Sequence, residues 1–149
     1  MPRGLLLAGA ALAFVVLSLS PVRASERWET LEAIHWIENP HDTSRPGPMG
    51  ELGAYQFRQA TWRMYTTMPF ARAVDRRASD DVAIRHYEWL KLGLVRNGLE
   101  PTPYNIALAW NGGLAATVRG SVRAATRDYA ERVTNVALEL HNTRVANNR

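Results

Sequence analysis

The chain contains no cysteine, which excludes disulfides and leaves no thiol for lipid attachment behind an export signal, so its core is held by packing alone. It also lacks an apolar run of the ~20 residues that a membrane-spanning helix requires. The longest run, Leu5 to Leu19, is about 15 residues. Neither a Gly-x-Ser-x-Gly elbow nor a phosphate-binding loop is present. The four histidines, His35, His41, His86 and His141, show no His-x-x-x-His or His-Glu pairing at ligand spacing. Without cysteine to complete a ligand set they make no metal site, and no cofactor is implied. No linker rich in proline, glycine or serine divides the chain, and no internal repeat or low-complexity tract appears.

What is present begins with an amino-terminal leader. Arg3 precedes the apolar run, and Val22-Arg23-Ala24 supplies small residues at the positions a signal peptidase reads. Residues 1–24 are therefore expected to be a signal peptide removed after Ala24, with an uncleaved anchor as the alternative. The product is expected in the periplasm or the medium, with no stable membrane anchor after cleavage. Residues 25–149 remain, about 125 residues, the size of one domain with one core. The formal charge is +4 and falls to +2 when Arg3 and Arg23 leave with the leader. A mildly basic, arginine-rich surface is compatible with an anionic polymer, but the basic residues are spread rather than clustered. No nucleic-acid signature is present.

Apolar periodicity predicts an all-α domain with at most a short β-hairpin. Helix one is expected over about Glu26 to Glu38, with Trp28, Leu31, Ile34 and Glu38 on one stripe. Asn39-Pro40 ends it. The stretch His41 to Phe57, with Pro46, Gly47, Pro48, Gly50 and Gly53, forbids a continuous helix. Helix two is expected over Arg58 to Thr67. Ser79-Asp80-Asp81 reads as the cap of helix three, whose stripe is Ala83, Tyr87, Leu90 and Leu94, ending near Asn97-Gly98. Pro103 opens helix four, Tyr104 to Trp110. The last helix is expected from Arg127 to His141, with Tyr129, Val133, Val136 and Leu140 inward.

Glu38 is the leading candidate for chemistry. A carboxylate closing an apolar stripe, at a helix carboxyl terminus where the macrodipole is negative, is expected to have a raised pKa, as a general acid requires. Glu51 is the candidate for a second acid, the other glutamate in this region that could pair with Glu38. Asp42 is a weaker candidate, since an aspartate beside a helix end most often caps a turn.

Four motifs in order, Glu38-Asn39, Gly53-Ala54-Tyr55-Gln56, Ala109-Trp110-Asn111-Gly112-Gly113 and Thr126 to Val133, give a resemblance to lytic transglycosylases of the soluble-lytic type, within the lysozyme-like superfamily. It covers nearly the whole of residues 25–149. The resemblance implies a lysozyme-like, all-α fold with a cleft beside Glu38. It implies action on the β-1,4 bond between N-acetylmuramic acid and N-acetylglucosamine in the glycan strands of peptidoglycan, with a 1,6-anhydro product. It implies Glu38 as the one catalytic acid, with Gln56 and Asn111 holding the sugar, Tyr129 orienting the acid or the acetamido group, and Tyr55 and Trp110 lining subsites. The chain departs from the family at Asn39 and Trp110, where serine and tyrosine are usual, and at Gly47, where serine is frequent. Two rivals follow: a lysozyme that cuts the same bond with water, using Glu51 or Asp42, and a peptidoglycan-binding module without turnover.

Overall fold

The computed structural model describes residues 22–148. Its elements are α1 (Val22–Glu38), α2 (Gln59–Tyr65), a 3₁₀-helix (Phe70–Val74), α3 (Arg76–Arg96), α4 (Pro103–Gly112), α5 (Leu114–Val118) and α6 (Ala124–Asn147). The all-α expectation holds, with no strand among the described residues. The expected hairpin is reduced to one antiparallel bridge between Leu52 and Phe57. The expected leader, residues 1–24, lies outside the described residues except for 22–24, which belong to α1. Among the described residues no helix is long and apolar enough to cross a membrane.

Several boundaries move for identifiable reasons. The cap of α3 is Asp75, whose carboxylate accepts the Ala78 N–H at 2.9 Å, and not Ser79. Ser79 is fully buried within the first turns of the helix. The Ser-Asp-Asp run imitates a cap, but the true one stands four positions earlier and is disguised by the basic pair that follows it. At α4 the Thr102 hydroxyl accepts the Asn105 N–H at 3.2 Å and Pro103 takes the first helical position, the arrangement that a prolyl ring favours. The short α5 and the 3₁₀-helix lack the length for a periodic signal.

Trp28 also departs from expectation. It is 50% exposed, whereas Thr30, Ala33 and Ile34 are fully buried. The buried face of α1 is thus rotated away from Trp28, because α6 and α4 pack on the Thr30–Ile34 side. The core closes around Ile34, Leu90, Leu94, Ile106 and Val133. Trp62 is fully buried and its indole N–H donates to the Met68 carbonyl at 2.9 Å, so the chain after α2 is fixed to the core by a satisfied polar group.

A buried carboxylate ties α1 to α6. Glu29 is 4% exposed, accepts from Arg144 Nη2 at 2.7 Å and lies 3.1 Å from His141 Nδ1. The two cations of α6 are themselves partly exposed, so removing Arg144 would leave the Glu29 charge buried with one cation fewer.

The segment that matters most for the site is pinned by Gly53. Its φ is +80°, and a Cβ there would fall 1.7 Å from the Ala73 carbonyl oxygen of the 3₁₀-helix. Only glycine satisfies both demands. Gly53→Ala is therefore expected to lower unfolding stability by at least about 2 kcal/mol, measured by denaturant titration. A loss below about 1 kcal/mol would show that this close approach does not anchor the segment.

Candidate active site

Glu38 is the last residue of α1, so its side chain is delivered by a rigid rod rather than by a loop. Asn39 follows and is 3% exposed. Its amide nitrogen donates to the Thr43 carbonyl at 3.0 Å and to the Gly53 carbonyl at 3.2 Å, and its oxygen accepts the Thr43 N–H at 2.9 Å. Asn39 thus has a local role: its amide staples the helix end to the turn that carries Gln56. Leu52 and Phe57 exchange backbone hydrogen bonds at 3.0 and 2.9 Å, closing that turn.

Gln56 adopts a left-handed backbone, φ +46°. Its backbone N–H and its side-chain Nε2 both donate to the Gly53 carbonyl, at 3.1 and 3.0 Å. The side-chain oxygen is left to face Gly47, where a Cβ would lie 2.8 Å from it and 2.7 Å from Glu51 Oε2. A Cβ at position 47 would press on both oxygens, each at the far end of a flexible side chain that can shift.

These elements surround an open cleft of about 700 Å³. Glu38, Glu51 and Gln56 line it, together with Pro48 and Met49 of the irregular stretch. Phe57, Thr61, His86 and Trp110 line it as well, and the end of α4 contributes Asn111, Gly112 and Gly113. The aromatic floor is continuous: Trp110 lies 6.0 Å from Tyr55, 5.7 Å from Phe57 and 4.6 Å from His86, centroid to centroid.

Glu38 and Glu51 are the carboxylates among the cleft-lining residues, and their surroundings push them in opposite directions. Burial raises the Glu38 carboxyl above the ordinary value, and the negative charge of Glu51 raises it further, against the pull of Tyr129 and Arg132. Glu51 is lowered by backbone hydrogen bonds within its loop, including the Met49 N–H at 2.9 Å, and by Arg58, whose Nε stands 3.6 Å from Oε1. One acid therefore tends to keep its proton while its neighbour stays ionised, the separation expected of a donor beside a fixed charge.

The structure brings Glu38, Glu51, Tyr55, Gln56, Trp110 and Asn111 to one cleft. Tyr55 is 3% exposed and its hydroxyl donates to Asp80 Oδ1 at 2.7 Å on the far side, so only its ring belongs to the cleft floor. The Asn111 side-chain oxygen accepts the Thr126 hydroxyl at 2.9 Å, and its NH₂ group has no hydrogen-bond partner among the described residues. Tyr129 stands apart from the cleft wall. It is 5% exposed and lies behind Glu38, where its hydroxyl acts on the acid without meeting hydrogen-bond geometry. Asp42 is drawn off in another direction, with Oδ1 2.8 Å from His35 Nε2.

His86 is the member that sequence reasoning missed. It is 8% exposed, and its Nδ1 lies 2.9 Å from the Tyr65 hydroxyl. Burial lowers its pKa from 6.5 to about 4. A signal existed: Val82 and His86 share a face one turn apart beside the apolar stripe of α3. Met49 and Arg58 lay in an irregular stretch, where no periodicity could single them out. Among the described residues no group of three histidine or acidic side chains is placed to hold a metal ion.

Two pH effects follow. Because the folded pKa of His86 lies below its unfolded value, the unfolded chain binds the extra proton first. The stability this neutral imidazole supports is full above pH 6.5 and is lost as pH falls towards about 4. His86→Phe is expected to gain about 3 kcal/mol on the wild type between pH 7 and pH 4, read from urea unfolding at both pH values; parallel curves would contradict a neutral buried imidazole. Glu38 behaves with the opposite sign, since its raised pKa favours the folded state as pH falls. Tyr129→Phe removes an influence that lowers Glu38, so the Glu38 carboxyl carbon should titrate at higher pH by ¹³C NMR. An unchanged or lower midpoint would place Tyr129 outside the acid's surroundings.

Comparison with protein-family models, curated proteins and solved structures gives no match to this chain.

Proposed function

We propose that the protein is a peptidoglycan lytic transglycosylase of lysozyme-like fold, exported by the leader at residues 1–24, that cuts the β-1,4 bond between N-acetylmuramic acid and N-acetylglucosamine. The observation that carries this reading is the divided pair in the cleft: Glu38 raised by burial, Glu51 held ionised by its loop. The four sequence motifs converge on that cleft or, for Tyr129, directly behind it.

In the proposed reaction the Glu38 carboxyl gives its proton to the glycosidic oxygen while the bond from that oxygen to the muramoyl C1 breaks. Positive charge develops on C1 and the ring oxygen, and the 2-acetamido group assists. The ionised Glu38 then takes the proton of the C6 hydroxyl as O6 bonds to C1. The 1,6-anhydro ring closes, the acid is restored and no water is consumed. Asn111 offers an unpaired NH₂ to the sugar, and Trp110 offers an aromatic face beside it.

A second reading is favoured by one observation. Glu51 shares the cleft and is near enough for its charge to raise Glu38, so a water held by Glu51 would make the protein a hydrolase. Against it, Glu51 is already engaged by the Met49 N–H and by Arg58.

Mass spectrometry of digested sacculi separates the two. The wild type is expected to release muropeptides with anhydromuramoyl ends, one water lighter than hydrated reducing ends. Glu38→Gln should lose at least about 10²-fold in rate while remaining folded, the scale of general acid catalysis. Glu51→Gln should slow the reaction modestly and leave the products unchanged. Hydrated ends together with an inactive Glu51 variant would establish the hydrolase, and no release at all by wild type would remove the enzymatic reading.

A further inference from the structure

His86 has no part in the proton transfers above, yet its surroundings are too specific for an imidazole that merely fills space. The ring stacks on Trp89 at 6.0 Å and 13° and meets the Trp110 indole at 4.6 Å. Tyr65 is itself held in place, since its carbonyl accepts from Arg85 Nη1 at 2.7 Å. Burying an imidazole costs free energy that a phenylalanine or leucine in the same aromatic cluster would not incur, unless both ring nitrogens are used.

One nitrogen is used within the protein. The Tyr65 hydroxyl has the imidazole Nδ1 as its hydrogen-bond partner at 2.9 Å. The phenol proton satisfies that bond most simply by donating to Nδ1, which places the imidazole proton on Nε2. The other nitrogen has no hydrogen-bond partner among the described residues, and it is not among the buried side-chain atoms left without one, which are Ser79 Oγ, Tyr129 Oη and Arg144 Nε. The space beside this ring is the cleft, which His86 lines.

We infer that His86 is a substrate-contacting residue, whose Nε2–H donates to an uncharged oxygen of a pyranoside ring seated against Trp110. The inference rests on the reading of the cleft as a glycan site and adds to it a recognition element that none of the four motifs contains. The chemistry is selective. An imidazole kept neutral between indoles donates one directed hydrogen bond to a hydroxyl or acetamido carbonyl and carries no charge to attract anions. The aromatic face beside it covers the apolar side of the same sugar. Tyr65 acts here as a positioning residue, fixing the tautomer through Nδ1.

The test uses the Glu38→Gln protein, which holds glycan without cutting it, with tetra-N-acetylchitotetraose as probe. Long-range ¹H–¹⁵N spectra of the histidine rings are expected to show the Nε2–H tautomer for His86 in the free protein, with a shift of that Nε2 signal on adding the sugar. Calorimetry should show His86→Phe weakening the sugar by about fivefold, the scale of one neutral hydrogen bond. Tyr65→Phe should mix the two tautomers and weaken binding while the aromatic wall stays in place. A merely structural His86 would leave the Nε2 signal unmoved while the Trp110 indole signal responds to the sugar; that result, or an Nδ1–H tautomer in the free protein, overturns the inference and leaves the glycan reading standing. Failure of the sugar to perturb either residue overturns both.

Discussion

One carbonyl group organises the Glu38 side of this molecule. The Gly53 oxygen receives the Asn39 side chain at 3.2 Å, the Gln56 side chain at 3.0 Å and the Gln56 backbone at 3.1 Å. Three donors on one acceptor exceed its two lone-pair directions, so the bonds are shared and the group is saturated. Through it the end of the acid's helix, the turn and the glutamine are held as one body. The Ala73 carbonyl, pressed against the Gly53 backbone from the other side, leaves the turn no room to retreat. The same contact makes Gly53 indispensable and explains why an irregular stretch can hold its place beside the cleft without a sheet behind it.

From that frame the electrostatics follow without a metal or a cluster of charges. Glu38 emerges where α1 ends, in a half-buried position that disfavours its ionised form. Glu51 belongs to the same loop system but turns its oxygens to backbone N–H groups and an arginine. Two residues of identical chemistry thus acquire opposite tendencies from their surroundings alone. Arg132 and Tyr129, from α6, moderate the acid from behind. The site therefore needs α1, the turn and α6 at once, and the buried Glu29–Arg144 pair fixes α6 on α1.

Much of this was legible in the residues. The stripe Ala83, Tyr87, Leu90 and Leu94 is buried as its spacing predicts, because a long helix against one core leaves no other place for it. Glu38 was visible as an acid closing an apolar stripe, and Gly53 as one of the residues that forbid a continuous helix. Trp28 misled, since large apolar residues are expected inside and the polar Thr30 took the inward position instead. Ser79 misled for the converse reason: its type favours caps, but tertiary packing buried it. The partner of Tyr55 and the inclusion of His86 in the cleft are products of chain segments far apart in sequence, which no local pattern encodes, while Asp42 turns to His35 only seven residues back, across an irregular helix end without periodicity.

The proton donor and the surfaces around it are mounted differently. Glu38 rides on a helix held at Glu29 and again at Asn39, whereas Pro48, Met49 and Arg58 belong to the irregular stretch and to the residue before α2. Substitutions in that stretch can reshape what the cleft admits without displacing the acid. The architecture separates a fixed tool from an exchangeable guide, so a lineage descending from this chain could change what it admits by altering the guide while inheriting the tool intact.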